Sequence, residues 1–150
     1  MKLSKEIING LIIAAGIAAL FLIIKLFGLD KAGYLRFLNG FVVYYGIYRT
    51  QKMNADRGIT SLGDNIVSMF KTGVVGVVAS TIGLAIYATL NGGKSYLDTI
   101  SYGYLFGKNP SVNEYCFGIL IEGIASVVVI SLLIIQATKI QATKTMIQNN

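Results

Sequence analysis

The 150-residue chain has no histidine and no tryptophan, and a single cysteine and a single proline. Without histidine, the commonest metal ligand and general base is missing. One cysteine builds neither an intramolecular disulfide nor a thiolate metal site, and Cys116 reads as a small buried hydrophobe. Charge is scarce too: 13% of residues are Asp, Glu, Lys or Arg, about half the share of an ordinary soluble domain. No phosphate loop, nucleophile elbow or dinucleotide fingerprint occurs, and Asp56 and Asp64 read as solvated loop acids. The sequence points away from an enzyme and implies no cofactor.

What is abundant is apolar surface, at 54% of residues. So small a domain buries too little of its surface to hide that fraction in a core of its own, so the partner implied is the lipid bilayer. A helix crosses a bilayer with roughly 20 largely apolar residues. Four runs are near that length: Ile7–Leu29, Ala32–Tyr48, Ile66–Leu90 and Tyr115–Ala137. The second is the shortest and carries Arg36 and Asn39. Lys2 and Lys5 precede the first run, but it is longer than a signal-peptide core and no cleavage site follows, so it is expected to remain as a span. The expected fold class is all-α: one four-helix transmembrane domain of four spans.

Lysine and arginine placement gives an orientation. With the N-terminus inside, Lys2, Lys5, Arg49, Lys52, Arg57, Lys71, Lys139 and Lys144 lie on the cytoplasmic side, and Lys25, Lys31, Arg36, Lys94 and Lys108 on the other. Both termini are therefore expected in the cytoplasm, in a multi-pass protein of the inner membrane. The basic residues sit dispersed at span ends, so the net charge of +6 suggests attraction to anionic headgroups, and no nucleic acid partner. With no Trp, tyrosines near the span ends supply the interfacial belt.

Between the spans, Asp56-Arg57-Gly58 predicts a turn. Leu62, Ile66, Met69 and Phe70 recur at helical spacing, predicting a short interfacial helix that runs into the third span. Tyr96, Leu97, Ile100 and Tyr104 predict another short helix in the long loop before the fourth. Ser111-Val112-Asn113-Glu114 fits a capping box opening that span, and the QATKIQATKT stretch extends its helix beyond Ala137. Gly10, Ala14 and Ala18, and likewise Gly73, Gly76, Ser80 and Gly83, form small-residue seams that let helix backbones approach in lipid.

One carboxylate, Glu122, stands inside the fourth run. An ionised group there is costly, so it is expected to face other helices and find a partner. Arg36, with Asn39 three residues on, and Lys25 lie in the same leaflet. The expectation is a buried cluster of Glu122, Arg36 and Asn39, with Lys25 as substitute or third member. Two roles stay open: a fastener that sets helix register, or a carboxylate that carries a proton or cation during transport.

The stretch from Tyr34 to Leu90 resembles a group of small four-span membrane proteins of unknown function common in Bacteroidota. The likeness rests on Leu35–Asn39, the basic Arg49–Lys52, Gly58–Thr60 and Lys71–Gly73. It implies fold and membrane location, and brings no catalytic residues. The expected role is non-catalytic: an accessory or scaffolding subunit with a membrane-protein partner. The alternative is a small homo-oligomeric transporter or channel using the Glu122 region.

Overall fold

Each helix begins and ends where local chemistry allows. In the computed structural model, which describes residues 3–29, 33–59, 61–100 and 110–148 (backbone alone at 33–34, 100 and 140–148), every regular element is helical. The Ser4 hydroxyl accepts the Ile7 N–H at 3.4 Å and opens α1, Lys5–Leu26. A six-residue 3-10 helix, Gly33–Leu38, leads into α2, Asn39–Asp56. Ser61 caps α3, Leu62–Leu90, by accepting the Asp64 N–H at 3.5 Å. A short α4, Lys94–Ile100, precedes α5, Val112–Gln148.

The expected capping box is formed. The Ser111 N–H and hydroxyl donate to the Glu114 carboxylate at 2.7 and 2.8 Å, and the Glu114 N–H donates back to Ser111 Oγ at 3.3 Å. The turn expected after Asp56 is a helix stop at Gly58, whose φ of 72° is the left-handed region glycine tolerates. There the Gly58 and Ile59 N–H groups donate to the Ala55 and Asn54 carbonyls, both at 3.0 Å.

Three helices are long and apolar enough to cross a membrane: Lys5–Leu26, Leu62–Leu90 and Val112–Lys139. Expectation and structure differ at two places. The run expected at Ala32–Tyr48 is a 3-10 segment followed by a helix that continues past Tyr48 to Asp56. That helix is diluted by Asn39, Thr50, Gln51 and Asn54 and by charged Arg49, Lys52 and Asp56. The interfacial helix expected before Ile66 is not a separate element, because α3 runs unbroken from Leu62 to Leu90. Nothing in that stretch (no proline, no unpaired turn) breaks its i to i−4 ladder. The loop helix expected around Tyr96 and Leu97 is α4; Tyr104 lies outside the described residues.

α1 packs on α2 and α3, and α5 packs on the same two helices. Their directions alternate. Asn9 of α1 meets Thr50 of α2 and, through it, Thr72 of α3 at one end, while Lys25 meets Tyr87 and Arg36 meets Tyr115 at the other. The core is centred on Ile13, Val43, Ile47, Met69, Val77, Val127 and Ile134. Large apolar side chains also face outward on every long helix, among them Leu22, Phe41, Ile82, Ile86, Phe117 and Leu133. Soluble monomers rarely expose contiguous apolar surface on that scale, whereas in a multi-pass membrane protein it meets lipid.

Glycine is what brings the backbones close. Ile13, fully buried, is clasped between Gly46 of α2 and Gly76 of α3; a Cβ on Gly76 would lie 2.7 Å from Ile13 Cβ. Val127 seats on Gly73, and reciprocally Val77 seats on Gly123, where a Cβ would meet it at 2.5 Å. Gly83, on the same α3 seam, meets nothing within 4 Å. Gly76→Ala is therefore expected to cost about 1–3 kcal/mol through overpacking, read as a lowered midpoint in detergent unfolding. Gly83→Ala should be neutral, or stabilising by up to about 1 kcal/mol from helix propensity.

Candidate functional site

Close packing at one end and looser packing at the other give the molecule two polar regions of different character. At the Glu6 end, the Asn9 side-chain amide donates to Thr50 Oγ1 at 2.9 Å, and the Thr50 and Thr72 hydroxyls lie 2.9 Å apart. Thr50 also donates to the Gly46 carbonyl at 3.2 Å. With its one proton committed to Gly46, Thr50 accepts from both Asn9 and Thr72, so each hydroxyl has a consistent direction. Thr50 and Thr72 are fully buried and Asn9 nearly so.

A second layer lies toward the helix ends. Ser68 is 3.2 Å from the Glu6 carboxylate and 3.4 Å from Asn54 Oδ1, and Arg57 reaches Glu6 at 3.7 Å. The start of α1, the end of α2 and the start of α3 are thereby tied together. Asn54 Nδ2 and Ser131 Oγ are buried without a partner among the described residues. These groups escape sequence reasoning because Thr50, Asn54 and Ser68 read as ordinary residues at a helix end. Asn9, an amide inside the first apolar run, was the available signal.

At the Lys25 end lies a cavity of about 290 Å³ between α1, α3, the start of α2 and the start of α5. Its walls are apolar: Ile17, Phe21 and Leu22 from α1, Leu84 from α3, Ile119 from α5. Small residues line it as well, Ala14 and Ala18 from α1 and Ala79, Ser80 and Gly83 from α3, and Gly83 meets nothing within 4 Å. Arg36, Asn39, Tyr87 and Tyr115 supply most of its polar edge. Arg36 Nη1 donates to the Tyr115 hydroxyl at 3.3 Å, and its guanidinium lies 5.9 Å from that ring's centroid.

The structure thus brings Arg36 and Asn39 to one site, as their three-residue spacing suggested. Lys25 goes to a neighbouring one. Its ammonium donates to the Tyr87 hydroxyl and lies 4.8 and 5.3 Å from the Tyr87 and Tyr96 ring centroids. Cations over aromatic faces are held by the ring quadrupole. Tyr87 also packs edge-on against Phe21 at 5.3 Å between centroids.

Glu122 stands apart from them. It is exposed, and its carboxylate makes no hydrogen bond or ion pair with the described residues. The reason is rotational. The buried stripe of α5 runs through Cys116, Leu120, Gly123, Val127, Ser131 and Ile134, and Glu122 projects about a third of a turn away from it. Its charge still reaches Tyr115, as does that of Arg36, so the carboxylate borders the cluster from outside. Tyr115, 79 residues from Arg36 in sequence, occupies the partner's place foreseen for Glu122.

No protein-family model matches the chain, and no curated protein or solved structure matches it. Among its own residues the strongest long-range polar link is the Asn9–Thr50–Thr72 chain. Thr50→Val, which keeps the shape and removes the hydroxyl, should leave the Asn9 amide and the Thr72 proton unpaired. A loss of about 0.6–1.7 kcal/mol is expected, measured by unfolding in mixed micelles, with Thr50→Ser retaining most of the stability.

Proposed function

We propose that the chain is a non-catalytic accessory or scaffolding subunit of a membrane complex. On this reading it crosses the inner membrane four times, with both termini in the cytoplasm. The Glu6 end would then carry the lysine-rich side of the molecule, in keeping with the positive-inside bias, and α2 would serve as the fourth span. Its alternating direction between α1 and α3 supports this, and so do the buried Val43, Gly46, Ile47 and Thr50 it packs against them. The resemblance over Tyr34–Leu90 supports a place among small four-span bacterial proteins.

The observation that carries the role is the exposure of Glu122. It stands on a largely apolar face of α5, with Ile121, Ala125, Val128 and Val129 around it and Ser126 one turn on. In lipid an ionised group so placed is strongly disfavoured unless it faces protein or a watery path. Among the described residues nothing covers it. A partner that supplies a hydrogen-bond donor or cation at that depth would make the surface stable, and the carboxylate would fix the partner's register.

A second reading rests on the same observation. If the partner is another copy, outward carboxylates from several copies can converge on a shared path, and the assembly would be a small transporter or channel. The two readings separate experimentally. Native mass spectrometry in mild detergent should find the chain with a stoichiometric partner, and Glu122→Ala should weaken that association by about 2 kcal/mol or more. The unfolding midpoint of the isolated chain should not change, since the carboxylate bonds to none of the described residues. A homo-oligomer whose pH-dependent flux in liposomes disappears in Glu122→Gln favours transport. A monomer indifferent to both substitutions would overturn both.

A further inference from the structure

We infer that the cavity at the Lys25 end is a binding site for a long-chain fatty acid anion, its chain between α1 and α3 and its carboxylate at Arg36. The inference stands on the cavity and does not depend on what covers Glu122. Three observations combine.

First, the space is real and apolar. Between the apolar walls water would find few polar partners, and left empty that part forfeits dispersion contacts along its lining. Second, the space is maintained where packing does not require it. Gly10 and Gly76 are small because Val75 and Ile13 press on them. Gly83 has no such neighbour, so its lack of a side chain serves only to keep the cavity open. Third, the polar edge carries a guanidinium, Arg36, and a side-chain amide, Asn39. Arg36 and Asn39 present side-chain N–H donors beside the Tyr115 hydroxyl, and Lys25 adds a second positive charge through Tyr87.

Planar guanidinium and amide donors match the geometry of a carboxylate. About 290 Å³ lies at the small end of ligand pockets, suited to one chain rather than the two of a glycerophospholipid. A fatty acid also delivers head and tail on a single axis, as the cavity does.

The test uses the full chain in nanodiscs of zwitterionic lipid and a diazirine-bearing palmitate. Photolabelling should be saturable, should map to α1 and α3 peptides lining the cavity, and should be competed by palmitate. Arg36→Gln should weaken labelling about tenfold, with Arg36→Lys recovering part of it. Gly83→Phe, which fills the cavity, should abolish it. Ala79→Leu serves as a second filling variant should Gly83→Phe fail to fold, judged by helical circular dichroism and monodisperse elution. Labelling that does not saturate, or that maps to the lipid-facing surface of α5, overturns the inference. So does competition by hexadecanol equal to that by palmitate, or competition by phosphatidylglycerol alone.

Discussion

The close approach of α1, α2 and α3 around Ile13 is the constraint on which the rest of the structure depends. Lipid supplies no hydrophobic drive for helices to associate, so van der Waals contact and interhelical hydrogen bonds must do it. Gly46 and Gly76 let the two neighbouring backbones close on the Ile13 side chain from two sides. Only because they close there does Thr50 come within 2.9 Å of both Asn9 and Thr72. Those polar groups have no water to turn to, and their mutual satisfaction makes the arrangement specific as well as tight. One end of the molecule is thereby fixed, and the contacts at the other end diverge from it in kind.

The divergence has visible consequences. Toward the Lys25 end the spacers between α1 and α3 are Phe21 and Tyr87, whose rings meet edge to face, in place of isoleucine on glycine. Large rings at the rim over small residues beneath leave a hollow. The two cations of that rim are held by tyrosines, through hydroxyls and ring faces. At the Glu6 end, by contrast, Arg57 faces a carboxylate and the charges offset.

Sequence reasoning reached the elements whose causes are local. The apolar runs beginning at Ile7, Ile66 and Tyr115 became α1, α3 and α5, because a lipid-length apolar stretch has few other fates. The Ser111–Glu114 box and the stop at Gly58 depend on residues within a turn of each other and were equally legible. What stayed hidden depends on rotation and on distant neighbours. Gly76 and Gly83 look alike in a seam at three- and four-residue spacing, yet one is pressed by Ile13 and the other meets open space. The grouping of Arg36 and Asn39 is a helical-spacing argument, and both line the cavity. Their partner Tyr115 read as an interfacial tyrosine, and nothing in a one-dimensional pattern tells which face of α5 turns inward.

Glu122 shows where that missing rotation matters most. The rule that an intramembrane acid faces protein is an argument about free energy, and it does not specify which protein. Inside the bundle Arg36 donates to Tyr115, and Lys25 to Tyr87. Rotating α5 to bring Glu122 inward would drag Val127 off Gly73 and Gly123 off Val77, the contacts that seat α5 against α3. Packing along a whole helix outweighs one electrostatic contact at its edge. The carboxylate is left outside because the glycine seams hold α5 in place.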